Sequence, residues 1–364
     1  MSYPICFRSD RKLLLGLIVL LFAVPALCGG RWVSFGPDGN LQVSAIRPDR
    51  SDHKILYIGT DRGVFVSRDP GGVHWEQASN GLHGYAVLAL EQAVSGTWIA
   101  GTSHGIYLLP PNSTTWRASN TVVNEQGTPR MIHVKGVTRR VMAHHATRSI
   151  LQSRVNDIEI APNRWLAATA SGILSSSDQG KIWSGGPVSR EKEFITIKAE
   201  KELVAAATRS KAFVSLDGGT VWKQATLPST TAVSIYDVVI SPDSRIFLAT
   251  SEGAFRSSDG GTTWEHINGG LPSREVGSLG FDLQNKRVLA SSNGTIFESR
   301  DRGQTWRQVD NVGAGITKII VITGRLFVTT STGVLADAHN PQNDPQDASR
   351  AHGNWFLRLV HKSD

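Results

Sequence analysis

Apolar residues in this chain fall in short runs separated by Gly, Pro, Asn and Asp, and the runs come in a fixed order. Val233 to Ile240, Ile246 to Thr250, Gly253 to Ser257 and Trp264 to Ile267 show one complete unit. It reads as an apolar-patterned strand, a second strand rich in Ala and Thr, a glycine tip, a third strand, a turn, and a fourth strand. Short β-branched runs with Gly and Pro between them predict strands joined by hairpins.

The unit repeats. Trp32, Trp75, Trp116, Trp183, Trp222, Trp264 and Trp306 are separated by 43, 41, 67, 39, 42 and 42 residues. A period of about 40 residues built from short strands predicts sheets arranged as blades around a ring. After Trp306 comes one more set, Ile316 to Ile322, Leu326 to Thr330 and Gly333 to Ala336, with no tryptophan in the expected place behind it. Trp32 has no first three strands before it. Each fragment supplies what the other lacks. The prediction is an all-β, seven-bladed β-propeller in which Trp32-Val33-Ser34-Phe35 is the outer strand of the last blade. Such closure hides sheet edges from foreign strands.

Five of the tryptophans end a turn of fixed composition. The copies are Ser67/Asp69/Gly71/Trp75 (one residue longer), Ser176/Asp178/Gly180/Trp183, Ser215/Asp217/Gly219/Trp222, Ser257/Asp259/Gly261/Trp264 and Ser299/Asp301/Gly303/Trp306. In the second unit Leu109-Pro110-Pro111-Asn112 replaces the acidic part and Trp116 persists. The Asp side chain can accept hydrogen bonds from the amides of its own turn, and Ser does so more weakly. Burying an indole of ~150–250 Å² contributes roughly 4–6 kcal/mol of gross transfer energy at about 25 cal/mol per Å². The turn is therefore read as a structural rivet. Five such carboxylates around a rim stand too far apart to converge on a metal or a substrate.

These turns resemble the Asp-box, or BNR repeat, found in sialidases, sortilin-type receptors, xyloglucan-cleaving glycosidases and the photosystem II stability/assembly factor family. The resemblance covers nearly the whole chain after residue 28 and implies the propeller fold. It does not select an activity, because the repeat serves unrelated ones. A sialidase-like site implies an arginine cluster and a Tyr–Glu pair. Here Ile46-Arg47-Pro48 is a partial echo of the first arginine motif, and only Tyr57, Tyr85, Tyr107 and Tyr236 lie beyond residue 28. The xyloglucan-type site implies two propellers, and this chain has length for one. The assembly-factor family implies a single exported seven-bladed propeller with a scaffold role on the outer side of a membrane. Two departures stand against it: the second and seventh units lack the acidic turn, and residues 117–154 break the period.

Aligning the first strands places Ala45, Ala89, Asp157, Thr196, Asp237, Ser278 and Lys318 at one channel-facing position. Asp157, Asp237 and Lys318 are expected to face one another there. As a carboxylate pair they offer the alternative reading, a glycoside hydrolase with an acid and a base of separated pKa. A water-filled channel neutralised by Lys318 is the preferred reading. No P-loop, nucleophile elbow or zinc motif appears, His144-His145 reads as a solvated loop feature, and no cofactor or metal is implied.

Charge is concentrated. Residues 117–154 hold Arg117, Arg130, Lys135, Arg139, Arg140, Arg148 and Arg154 against Glu125, while the remainder after residue 28 is nearly neutral. This stretch reads as a basic insertion between the second and third blades, or as an eroded eighth blade; it lacks the glycine tip and tryptophan turn, which favours the insertion. The tips between second and third strands, Asp61-Arg62, Ser103-His104, Arg209-Ser210 and Ser251-Glu252, lie on the face opposite the acidic turns. Arg62, His104, Arg139, Arg140, Arg148 and Arg209 are the candidate binding residues. The expected partner is an acidic protein, an anionic membrane surface or an acidic glycan. Nucleic acid is disfavoured by the scarcity of aromatics among the charges.

The first 28 residues read as a signal peptide: Arg8, Arg11 and Lys12 precede an apolar run from Leu13 to Ala23, too short to span a bilayer. Cleavage is placed after Cys28, with a lipid anchor there disfavoured by the bulky Leu27. Cys6 and Cys28 are the only cysteines, so the exported chain holds together by packing. Residues 339–364 read as a disordered tail with a short docking strand at Trp355 to Val360. The sum is an exported, monomeric, non-catalytic binding or scaffold propeller.

Overall fold

Strands rich in Ala, Val and Thr, with few charges on either face, must be covered on both sides, and a ring of stacked sheets covers them. The computed structural model describes residues 32–338 except 70–71, 135–136, 186–190, 230–231, 273–274 and 314; over 125–145 it gives the strands alone. The leader and tail assigned above lie outside the described residues.

Seven four-stranded antiparallel sheets form the ring. Blade 1 consists of β2 (Val43–Pro48), β3 (Leu56–Thr60), β4 (Gly63–Ser67) and β5 (Glu76–Gln77), and blade 2 of β6 (Val87–Gln92), β7 (Trp98–Thr102), β8 (Gly105–Leu109) and β9 (Arg117–Ala118). A hairpin follows, β10 (Thr121–Val134) and β11 (Val137–Ile150). Blade 3 is β12 (Val155–Ala161), β13 (Arg164–Thr169), β14 (Gly172–Ser176) and β15 (Ser184–Gly185). Blade 4 is β16 (Thr196–Glu200), β17 (Leu203–Ala207), β18 (Ala212–Ser215) and β19 (Lys223–Gln224). Blade 5 is β20 (Ile235–Ile240), β21 (Ile246–Thr250), β22 (Gly253–Ser257) and β23 (Glu265–His266). Blade 6 is β24 (Ser278–Asp282), β25 (Arg287–Ser292), β26 (Thr295–Ser299) and β27 (Arg307–Asn311). Blade 7 joins β28 (Ile316–Ile322), β29 (Arg325–Thr330) and β30 (Gly333–Asp337) to β1 (Trp32–Phe35). The N-terminal strand thus closes the ring, with Trp32 opposite Asp337 and Phe35 opposite Val334. Among the described residues no helix is long and apolar enough to cross a membrane.

The core is divided rather than central. Seven apolar clusters of described residues occupy the seven seams between neighbouring blades. Every residue of β7, β17 and β21 is buried, which explains their small and β-branched composition. At the closing seam Phe35 meets Trp75 edge-on at 5.5 Å and Phe327 at 4.9 Å.

The acidic turns work as expected locally. In blade 5, Ser257 Oγ donates to Asp259 Oδ1 (2.9 Å) and accepts from the Gly261 amide (2.8 Å), while Asp259 accepts from the Thr262 and Thr263 amides (3.1 and 2.9 Å). The amides of Thr263 and its neighbours hold the Asp259 carboxyl down to about 2. The tryptophans divide into two classes that the repeat does not distinguish. Trp75, Trp222 and Trp264 donate their indole N–H within their own turn, to Gly72, Gly219 and Gly261. Trp116, Trp183 and Trp306 instead reach the preceding unit, at Ala78 O (2.7 Å), Ser119 Oγ (3.4 Å) and Ile267 O (2.6 Å). The second set fastens blade to blade.

Candidate functional site

The channel is lined by the first strand of every blade. Five of these strands carry a register shift at the same place, so that Ser44, Leu88, Asn156, Tyr236 and Thr317 are each an extra residue unmatched in the second strand. Just beyond it stand Ala45, Ala89, Asp157, Thr196, Asp237, Ser278 and Lys318. Asp157 and Asp237 are both 6% exposed, and each bonds across a seam. Asp157 Oδ2 accepts from Thr196 Oγ1 (2.9 Å), the Ile197 amide (3.0 Å) and Lys198 Nζ (2.6 Å), all in blade 4. Asp237 Oδ2 accepts from Ser278 Oγ (2.9 Å) and the Leu279 amide (3.1 Å) in blade 6. Ser278 Oγ in turn accepts from the Ile319 amide of blade 7 (3.1 Å).

These two carboxylates are occupied as fasteners of different seams. Lys318 lies within electrostatic reach of Asp157; burial pushes the Asp157 carboxyl up, but Lys198 and Lys318 outweigh it and hold the group low. Asp157 and Lys318 are thus brought together, while Asp237 is bonded to the seam two blades further round.

Two residues further along the strands lies a ring that the sequence alignment passed over: Arg47, Glu91, Glu159, Lys198, Val239, Gly280 and Ile320. Four consecutive blades contribute charges and the other three apolar or small residues. Arg47 Nε donates to Glu91 Oε1 at 2.7 Å. Burial opposes the charge on Arg47, but the Glu91 carboxylate outweighs it and holds the guanidinium more firmly protonated. For Lys198 burial is likewise outweighed, by Asp157 and Glu159, and its pKa is raised. Burial pushes the Glu159 carboxyl up to about 8, Lys198 and Arg47 opposing and Glu91 and Asp157 reinforcing. The signal was available: the residue after the central apolar position is charged in four units in succession.

The break in the period is a long β-ribbon. β10 and β11 pair in register from Thr121↔Ile150 to Val134↔Val137. At about 3.4 Å per residue, 14 residues a strand make a ribbon of roughly 45 Å. Its base is fixed to blade 3, whose outer strand it extends: the Trp183 amide donates to Thr121 O (2.9 Å) and the Val123 amide to Trp183 O (2.7 Å). Val122 and Leu151 join the apolar cluster between blades 2 and 3. Trp183 is consequently 0% exposed. Arg117 and Ala118 belong to blade 2, and the region forms no eighth blade. His144 and His145, expected in a loop, lie instead on β11 opposite Gly127 and Gln126.

Arg139 and Arg140 stand on β11 opposite Ile132 and Met131, and Arg148, which is exposed, stands opposite Val123. Arg62, His104 and Arg209 are exposed at the tips of blades 1, 2 and 4. His104 stacks on Tyr85 (4.5 Å, 17°), and Arg209 sits 5.4 Å from the Tyr236 ring. The six candidates therefore divide between one face and the ribbon. Between the ribbon base and blade 3 opens a cleft of about 1190 Å³, lined among others by Val123, Ser149, Ile150, Gly172, Ile173 and Ile182. Among the described residues no group of three His, Cys, Asp or Glu side chains is placed to hold a metal.

No protein-family model matches the chain, and no curated protein is significantly similar to it. Solved structures share its fold. The extracellular domain of the putative one component system BT4673 from B. thetaiotaomicron is 11% identical with a TM-score of 0.62, over 85% of this chain and 40% of that one. The chain spans less than half the length of that protein. YCF48 bound to D1 peptide is 18% identical with a TM-score of 0.62, covering 86% of this chain and 98% of that one. A chain of the Mitotic Checkpoint Complex is 12% identical with a TM-score of 0.58, over 93% and 97%. At such identities the likeness shows a seven-bladed β-propeller.

Proposed function

We propose that this chain is an exported, non-catalytic binding propeller of the Asp-box type that captures an acidic partner through the basic β-ribbon. The observation that carries this reading is the ribbon itself. Residues 121–150 carry, in sequence, Arg130, Lys135, Arg139, Arg140 and Arg148 against Glu125, and the described contacts of the ribbon with the propeller lie at its base. A two-stranded ribbon in water is marginally stable by itself, so an arm of this length is worth building when something covers it. The propeller supplies a rigid mount, and its channel carboxylates are spent on seams. The likeness to YCF48, a propeller seen with a peptide, supports a protein partner over a glycan or lipid surface. Arg62, His104 and Arg209 on the tip face form a second contact region.

The test uses the chain with Arg139, Arg140 and Arg148 changed to Gln together, and three probes: polyglutamate, anionic phosphatidylserine vesicles and heparin. The wild-type chain should retain polyglutamate at 50 mM salt and release it near 0.5 M, as screening predicts. The triple variant should bind at least tenfold more weakly with an unchanged melting temperature. Equal retention by the variant removes the ribbon as the binding element. Retention of vesicles or heparin but not polyglutamate would replace the acidic protein by a lipid or glycan partner.

A further inference from the structure

The chain contains three Asn-Gly dipeptides, Asn80-Gly81, Asn268-Gly269 and Asn293-Gly294. An asparagine before glycine is the sequence most open to attack on its own side-chain amide, because no Cβ shields the following backbone nitrogen. The attack needs two freedoms. The asparagine side chain must be able to swing, and the peptide plane that follows it must be able to turn. Local sequence grants both to all three dipeptides; the fold takes them from two.

Asn268 is held at both ends. Its Oδ1 accepts from the Ala254 amide (2.8 Å) and its Nδ2 donates to Glu252 O (3.0 Å). Its carbonyl accepts from the Leu271 amide (3.0 Å), and Gly269 O accepts from the Trp306 amide of blade 6 (2.8 Å). Gly269 is also packed on backbone, since a Cβ there would stand 2.7 Å from Gln304 O. Asn80 is held in the same manner against blade 2. Its Nδ2 donates to Thr115 Oγ1 (2.8 Å), and its carbonyl accepts from the Trp116 amide (2.8 Å). Asn80 and Asn293 are both exposed, so restraint rather than exposure separates them.

Asn293 and Gly294 are the two central residues of the hairpin between β25 and β26, which closes at the Ser292↔Thr295 pair. Their φ values, 49° and 72°, are both left-handed, as a type I′ turn requires. The peptide between the two central residues of such a turn takes no part in the ladder, so its plane can turn without breaking a strand bond. Among the described residues the Asn293 side chain makes no hydrogen bond, and the one turn bond to Gly294 falls on its carbonyl, from the Val312 amide (2.9 Å).

We propose that Asn293 is a site of spontaneous deamidation through a succinimide, while Asn80 and Asn268 keep their amides in the folded chain. The Gly294 nitrogen gives its proton to solvent base and bonds to Asn293 Cγ; the Cγ–Nδ2 bond breaks, and Nδ2 leaves as ammonia with a proton from water. Water then opens the ring. Addition at Cγ returns the chain as aspartate, and addition at the main-chain carbonyl gives isoaspartate. The balance is one water in and one ammonia out, with no oxidant or reductant. Either product adds a negative charge at the tip of blade 6, and isoaspartate also lengthens that two-residue turn by one backbone atom. The inference does not depend on the ribbon.

The full chain is incubated at pH 8.5 and 37 °C for two weeks, with its fold followed by tryptophan fluorescence. Peptide mapping by mass spectrometry follows the amide-to-acid mass increase at each asparagine. A parallel sample is unfolded in guanidinium chloride at the same pH. In the folded chain Asn293 should convert at least tenfold faster than Asn80 and Asn268. In the unfolded chain the three should convert at rates within a few-fold of one another, because the restraints are gone. Asn293→Gln should abolish conversion at that position and leave the fold unchanged. Equal rates at the three sites in the folded chain overturn the proposal. So does an intact Asn293 in the folded chain when the unfolded chain converts it.

Discussion

Trp32 Nε1 donates to Asp310 Oδ2 at 2.7 Å, tying the N-terminal strand of blade 7 to the outer strand of blade 6 across 278 residues of sequence. Three residues along the same strand, Phe35 fills the opposite seam, against blade 1. The two ends of one four-residue strand thus hold both flanks of the closing blade. Phe35→Ala should cost about 3–5 kcal/mol, the usual range for an aromatic removed from a core. Trp32→Phe, which keeps most of the ring and loses one hydrogen bond, should cost about 1 kcal/mol. Urea unfolding midpoints of the two variants measure the difference; equal losses would mean that the strand contributes by pairing alone.

Gly81 and Gly84 have similar backbones, φ +90° and +76°, and different surroundings. A Cβ on Gly81 would stand 2.2 Å from the carbonyl oxygen of Trp116 in the next blade, whereas one on Gly84 meets nothing within 4 Å. Gly84→Ala should cost only the left-handed conformation, about 1–2 kcal/mol. Gly81→Ala should cost at least about twice that, since the obstacle is backbone and cannot rotate away. Thermal unfolding of both variants ranks them.

A buried charge network secures blade 6. Arg287 bridges Asp282 Oδ2 (2.9 Å) and Glu298 Oε2 (2.6 Å), and Arg300 Nε reaches Glu298 Oε1 at 3.2 Å. Burial pushes the Glu298 carboxyl up, but Arg287, Arg307 and Arg300 outweigh it and set it at about 2. A carboxyl depressed on folding stabilises above its unfolded value of roughly 4.3, and that contribution is lost as pH falls toward 2. Glu298→Gln should cost about 3–5 kcal/mol at neutral pH, because Arg287 is left buried with one partner fewer. The deficit relative to wild type should shrink between pH 4 and pH 2, which guanidinium-free unfolding by urea at each pH would record.

Glu159 should act in the opposite sense. Its folded pKa, about 8, lies above the unfolded value of roughly 4.3, so its contribution is full below pH 4 and is lost as pH rises through 8. Glu159→Gln should match wild type at pH 4 and melt a few degrees higher at pH 9. A variant whose melting curve tracks wild type across that interval would show that the channel carboxyl ionises freely.

Much of this architecture is legible in the tryptophan spacing, because one indole at the turn or outer strand of each blade is wholly or partly buried and the period records it. The closure by Trp32 to Phe35 is legible for the same reason: two fragments each lacked what the other carried. The channel was read two residues short. Asp157 and Asp237 stood out as isolated carboxylates, yet their bonds to Ile197 and Leu279 amides depend on the offset between neighbouring blades, which no single-unit alignment contains. The Arg47, Glu91, Glu159 and Lys198 ring was visible as a run of charges but has meaning only once four blades stand side by side. The ribbon was legible as a charged interruption and not as paired strands. Its alternation is weak, and its register, from Thr121 opposite Ile150 to Val134 opposite Val137, goes with docking on Trp183, a long-range contact.

The pairing of Trp32 to Phe35 with Val334 to Asp337 joins segments about 300 residues apart. During synthesis the first strand made is therefore the last to find its place, and it waits on almost the entire chain. Until the C-terminal strands emerge, the nascent ring stands open as a horseshoe with two uncovered apolar flanks, on blades 1 and 6. Closing the ring therefore depends on the arrival of the last blade, rather than on any local turn.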